Sequence, residues 1–137
     1  MEFESGVTFV GEEEVSRILT DASLEKVCLL RLRTNGSGDR DAIFEAFRRD
    51  LPMDPPVQSA RSWEALSDSL FGGLFSLTST RVVILWEDDA RHESIRAGAA
   101  AEALSILTEV AELLGSPQVT GGHTKLVAVL IPVVVKH

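Results

Sequence analysis

Apolar positions along the chain switch between a helical and an extended period, and the switches mark out its elements. In residues 62–71, Trp63, Leu66, Leu70 and Phe71 recur at i, i+3, i+7 and i+8, one stripe of an α-helix. Ser62 stands where a side chain can accept the free N–H groups of the first turn, so the helix is expected to start there. Gly72 and Gly73 are expected to weaken it, leaving Leu74 and Phe75 to a last, frayed turn. Val15, Ile18, Leu19 and Ala22 predict another amphipathic helix, opened by Glu12, Glu13 and Glu14 where the helix dipole favours negative charge. Ile43, Phe44, Phe47 and Leu51 trace a third, which Pro52, Pro55 and Pro56 end, forcing an extended loop up to Ser62. Ala100, Ala103, Leu104, Leu107, Val110, Ala111 and Leu114 trace the longest, with Gly115 as its C-cap.

Extended segments lie between them. Residues 27–32 and 82–86 read as strands. The second is a continuous run of β-branched and apolar types, as expected of a strand covered on both faces. Leu126 to Ile131 reads as a closing strand, with Pro132 marking its end or an edge position. Residues 7–10 form a short candidate strand. Residues 35–39 and 116–124 are loops by composition. Asp88 or Asp89 is expected to cap a short helix running to about Arg96, which Gly98 breaks. Strands separated by helices predict an α/β fold with a parallel sheet and right-handed crossovers, here three principal strands and four principal helices.

A chain of 137 residues predicts one domain with its own core, and 45% hydrophobic with 25% charged residues is a globular composition. Cys28 is alone in an apolar run, so no disulfide framework is expected and a reducing cytoplasm fits best. The start Met1-Glu2-Phe3-Glu4 lacks the basic and apolar regions of a signal peptide, and the run Leu126 to Val135 is too short to span a bilayer.

Charge narrows the picture further. A net charge of −8 with pI ≈ 4.8 argues against binding nucleic acid, which rewards a basic face. It suits plain solubility or steering towards a basic partner. Glu64 and Asp68, four residues apart, project from one side of their helix at the edge of its apolar stripe, and no Lys or Arg lies between Arg61 and Arg81. Such a pair is either a solvated helix face or a fixed anionic surface for a cationic partner. The long helix carries Glu102, Glu109 and Glu112 without a basic residue. Glu109 and Glu112 approach its C-terminus, where the dipole disfavours negative charge by about 0.3–1 kcal/mol each.

Enzymatic chemistry finds two footholds. Glu87, Asp88, Asp89, His92 and Glu93 follow the end of a strand, where open α/β sheets place their sites, and that set suits Mg²⁺ or Mn²⁺. Helix capping and a solvated face explain the same residues. Gly121-Gly122-His123-Thr124-Lys125 lacks the order of a nucleotide-binding phosphate loop and leads into a strand, so that reading is rejected. No serine elbow or cysteine partner accompanies His92 or His123, and nothing assembles a nucleophile, a base and an orienting group.

Trp63-Glu64-Ala65-Leu66 followed by Asp68 and Leu70 resembles the second-helix signature of the barstar family of ribonuclease inhibitors, written W-D-A-L-x-D-x-L. Val82-Val83-Ile84-Leu85-Trp86 resembles that family's second strand, Leu104 to Glu109 its last helix and Leu126 to Ile131 its last strand. The resemblance covers residues 27–131. It implies a small three-stranded parallel sheet with helices packed on it, to which residues 1–25, without a counterpart in the pattern, are an N-terminal strand and helix addition.

It also implies a function. Inhibitors of this family fill the cleft of a basic ribonuclease with carboxylates at the phosphate positions. Their contacts come from the second helix, the loop before it and the end of the last long helix. Here that implies partner-binding roles for Glu64, Ser67 and Asp68, for Ser59 and Ala60, and for Glu109. Glu64 replaces the family's first aspartate, Asp68 matches the second, and Ser67 stands where a tryptophan is common. The loop Pro56-Val57-Gln58-Ser59-Ala60-Arg61 lacks the usual aromatic residue and glycine. The reading is a cytoplasmic, non-enzymatic inhibitor or immunity protein, monomeric when free and without cofactor. Its expected partner is a basic extracellular or toxin-domain ribonuclease or nuclease, and neither nucleic acid nor membrane is a partner. A small metal-dependent enzyme using Glu87, Asp88, Asp89 and His92, and a barstar-like interaction module with a target other than a nuclease, are the alternatives.

Overall fold

A computed structural model describes residues 4–24, 27–34, 39–55, 62–87 and 98–133. The elements in order are β1 (Gly6–Gly11), a 3₁₀ turn (Glu12–Glu14), α1 (Val15–Leu24), β2 (Cys28–Leu32), α2 (Arg40–Asp50) and α3 (Trp63–Phe75). Then come β3 (Arg81–Trp86), α4 (Gly98–Leu114), α5 (Pro117–Thr120) and β4 (Leu126–Val133). The short helix expected between Asp88 and Arg96 falls outside the described residues.

The α/β class and the parallel sheet are as the sequence predicts, but the sheet has four strands, in the order β1-β4-β3-β2, not three. The N-terminal segment is the fourth strand, paired along its whole length with β4 from Gly6↔Ala128 to Gly11↔Val133. It therefore lies at one edge while β2, the next strand in sequence, lies at the other. The connection between them crosses the sheet, and α1 sits on it. Ile18 and Ala22 of α1 are fully buried against Val83, Leu85, Ala128 and Leu130, the side chains of one sheet face.

The opposite face carries the larger core. Leu32, Val82, Ile84, Trp86, Val127, Val129 and Ile131 point to it and pack against α2, α3 and α4. Alternation of side chains along each strand thus feeds two apolar layers, and β3, buried from Val82 to Trp86, needs both. The indole N–H of Trp86 donates to the hydroxyl of Thr34 at 3.2 Å, so the largest buried side chain leaves no polar atom unpaired. Pro132 neither ends β4, which runs to Val133, nor lies on an edge strand, since β4 stands between β1 and β3. It is tolerated because, among the described residues, the β3 register ends at Leu85↔Leu130.

α3 runs through Gly72 and Gly73 to Phe75, so Leu74 and Phe75 belong to its last turn, and Leu74 is fully buried there. A Cβ at Gly72 would overlap the carbonyl of Asp54, and one at Gly73 the carbonyl of Pro52. The glycines let the chain after α2 lie directly on the helix, where the Asp54 N–H donates to the Ser69 carbonyl at 2.9 Å.

Candidate functional site

The N-terminal half of α3 and the middle of α4 meet along an open groove of about 410 Å³ lined by Trp63, Glu64, Ser67, Asp68, Glu102, Ser105, Ile106 and Glu109. Each wall follows from helical periodicity. Ser62 accepts the Ala65 N–H through its hydroxyl at 3.3 Å and fixes the first turn, as its N-cap position predicts. From that start Leu66 and Leu70 fall on the core side and are fully buried, while Glu64 and Asp68 turn outward and are exposed. On α4, Glu102, Ser105, Ile106 and Glu109 are spaced i, i+3, i+4 and i+7, one face of the helix. Ile106 is buried in the core, and the three polar residues stand exposed.

Among the described residues, those lining the groove include four carboxylates, two from each helix, and no Lys or Arg. Glu64 sits in the first turn of α3, where the dipole favours it. The other three have no such local support. Glu109 lies more than a turn before the end of α4, so the unfavourable C-terminal dipole acts on Glu112 in the last turn and not, as expected, on both.

Trp63 closes one end. It is half-buried, less than its place on the apolar stripe predicts, because one part of the ring belongs to the groove. The rest packs on Phe44 of α2 with centroids 4.6 Å apart and planes inclined at 58°. The guanidinium of Arg40 lies 5.6 Å from the Trp63 ring centre and 5.1 Å from that of Phe44, a cation–π arrangement at the α2–α3 junction.

Of the partner-binding residues expected from the sequence, Glu64, Ser67, Asp68 and Glu109 line this groove together, and Ser59 and Ala60 lie outside the described residues. Glu102 joins them. Its signal was in the sequence: it is seven residues, two helical turns, before Glu109 and so shares its face.

The carboxylates after β3 have a different setting. Glu87 accepts from Arg31 Nε at 2.7 Å and from Arg33 Nε at 2.8 Å, tying β2 to the end of β3. Burial alone would raise its pKa. The hydrogen bonds and charges of the two arginines outweigh that and hold it below the usual carboxylate value. Asp50 is likewise held low, first by hydrogen bonds from Arg49, against partial burial, and then by the backbone N–H of Arg33 at 2.9 Å. Glu87 is therefore committed to arginine. Asp88, Asp89, His92 and Glu93 lie outside the described residues, and among those described no group of three or more His, Cys, Asp or Glu is placed to hold a metal ion. Cys28 is half-buried, and burial pushes its thiol up against the opposing pull of Lys125, which disfavours the reactive thiolate.

Comparison of the chain with protein-family profiles, curated proteins and solved structures gives no significant match in any of the three.

Proposed function

We propose that the protein is a barstar-like inhibitor or immunity protein that inserts its acidic groove over the active-site cleft of a basic ribonuclease or nuclease toxin. The observation that carries this reading is the convergence of Glu64 and Asp68 with Glu102 and Glu109 in one groove that, among the described residues, no Lys or Arg lines. Carboxylates held on two packed helices need little reorganisation to meet a cationic cleft, and a fixed anionic field speeds encounter and rejects acidic partners. A nuclease cleft presents Lys and Arg at the positions of RNA phosphates, a spacing that a row of carboxylates can satisfy in place of the substrate. The half-buried Trp63 adds an aromatic surface of the kind that anchors interfaces. The motif resemblance over residues 27–131 points to the same activity, although the four-stranded sheet departs from the three strands that resemblance implies.

The chemistry of the groove is charge neutralisation and exclusion of RNA, and on this reading the protein is not an enzyme. The test is inhibition of basic secreted and toxin-domain ribonucleases on a fluorogenic RNA substrate. The proposal expects stoichiometric inhibition of a cognate nuclease that is weakened by Asp68→Ala. Binding to a basic protein that is not a nuclease, through the same residues, would favour the interaction-module alternative.

A further inference from the structure

A second pocket, of about 300 Å³, lies at the other end of α3, lined by Phe75, Leu77, Thr78, Thr80, His123, Thr124 and Lys125. Two turns build it: the one between α3 and β3, and the one that follows α5 and leads into β4. Lys125 is the residue that sets its character. Its side chain is buried, with the residue only 7% exposed, and Nζ donates to the carbonyls of Leu77 and Ser79 at 2.6 Å each. These bonds hold the α3–β3 turn in place, but carbonyl oxygens do not cancel a full positive charge. Among the described residues Lys125 has no carboxylate partner. An ammonium group has three N–H donors, and two are used. A buried cation without a counter-ion is costly, and an anion in the adjoining pocket relieves that cost.

The rest of the lining supports the same ligand. The hydroxyls of Thr78, Thr80 and Thr124 make no hydrogen bond among the described residues. With the imidazole of His123 they add four hydrogen-bonding groups beside the ammonium. The local charge is also unusual for this chain. Of its 21 acidic residues, none falls in 69–86 or 113–137, the two stretches that supply every lining residue. The acidic groove occupies one end of α3, and the buried Lys125, supplied by a stretch without acidic residues, lies at the other.

We infer that this pocket is a binding site for a phosphate group, free or as a small monoester, held by Lys125 and the hydroxyls of Thr78, Thr80 and Thr124. A carboxylate has two oxygens to offer, fewer than the donors present, whereas a phosphate has three or four. Phe75 and Leu77 give the remaining lining an apolar wall for an ester substituent. The site is not a nucleotide-binding loop, since Gly121 and Gly122, both at positive φ, lead towards a strand and not into a helix. It stands independently of the inhibitor reading and of its partner.

Thermal melts and calorimetric titration of the full chain test it, with inorganic phosphate, phenyl phosphate, acetate and chloride at equal ionic strength. A saturable rise in Tm is expected with the phosphates and not with acetate or chloride, about 3–5 °C at ten times the Kd. Tighter binding of phenyl phosphate identifies the monoester as the preferred form; equal or tighter binding of inorganic phosphate identifies the free ion. Lys125→Met removes the charge, but it also removes the clasp on the α3–β3 turn and risks unfolding. The deciding variant is therefore Thr80→Val/Thr124→Val, both exposed and changed isosterically, which is expected to weaken phosphate binding at least tenfold in a folded protein. A rise that never saturates is the general stabilising effect of phosphate salts and overturns the site. So does an equal response to acetate, no response at all, or a response unchanged in the double variant.

Discussion

Trp63 packs on Phe44 at 4.6 Å between ring centres, and this contact joins α3 to α2 at the mouth of the acidic groove. A half-buried ring loses less on removal than a core tryptophan. Trp63→Ala is expected to destabilise the fold by about 1.5–3 kcal/mol, below the 3–5 typical of full burial. Urea unfolding checks it through the midpoint at constant slope. A change under about 0.5 kcal/mol would show that the ring does not hold the two helices together.

Gly73→Ala sets two effects against each other. Helix propensity alone favours Ala by about 0.8–1.0 kcal/mol. Overlap of the new methyl with the Pro52 carbonyl opposes it, with overpacking costs of about 1–3 kcal/mol, and a backbone atom cannot swing aside. Net destabilisation is expected in chemical unfolding. A more stable variant would mean that α3 frays at its glycines and that the chain after α2 does not lie on it.

Acid is expected to weaken the fold through Glu87 and Asp50. Both carboxyls are held below their ordinary values of 4.5 and 3.8, so they bind protons more readily in the unfolded chain. The stability they add is fully present above those values and is lost as pH falls through and below them. With Arg31 and Arg33 about half exposed, each pair contributes about 0.2–1 kcal/mol. Urea midpoints of wild type and Glu87→Gln, compared from pH 7 to pH 3, are expected to differ at neutral pH and converge in acid. Parallel curves would remove the Arg31–Glu87–Arg33 clasp from the account.

Much of this arrangement was legible in the chain. Ser62 as a cap, the stripe of Leu66 and Leu70, and the i, i+4 placement of Glu64 and Asp68 are all local, and the structure keeps them. The place of β1 was not, because its partner β4 lies about 120 residues away and parallel pairing leaves no mark in a six-residue segment. A hint was present all the same. A β3 covered on both faces requires a helix on each, and α1 was the one not otherwise placed. The reason for the glycines of α3 was not legible either: propensity sees the helix alone, while they lie against the chain at Pro52–Asp54. Glu102 was visible as an acid, but only the packing of α3 on α4 makes it part of the groove.

Glu102 separates a groove from a single acidic helix. If both walls meet the partner, Glu102→Ala and Glu109→Ala are each expected to weaken binding by about 0.5–2 kcal/mol, the smaller values belonging to the solvated rim. Stability is expected to change by less than about 0.5 kcal/mol, since both are exposed. Calorimetric titration of each variant distinguishes the cases, and binding untouched by either would confine the interface to α3.

The most direct measurement compares wild type with Asp68→Ala in calorimetric and stopped-flow binding to a cognate basic nuclease. Asp68 is exposed and, among the described residues, no Lys or Arg lines the groove with it, so its removal is expected to leave folding unchanged. On the proposed function it becomes desolvated against Arg or Lys of the nuclease in the complex. Truncating such a pair costs about 2–5 kcal/mol in affinity, a range to which the barnase–barstar pair itself contributes. Association is expected to slow as salt screens the field beyond about 8–10 Å. An Asp68→Ala variant that binds as tightly as wild type, or one that fails to fold, would contradict the assignment of this groove as the inhibitory surface.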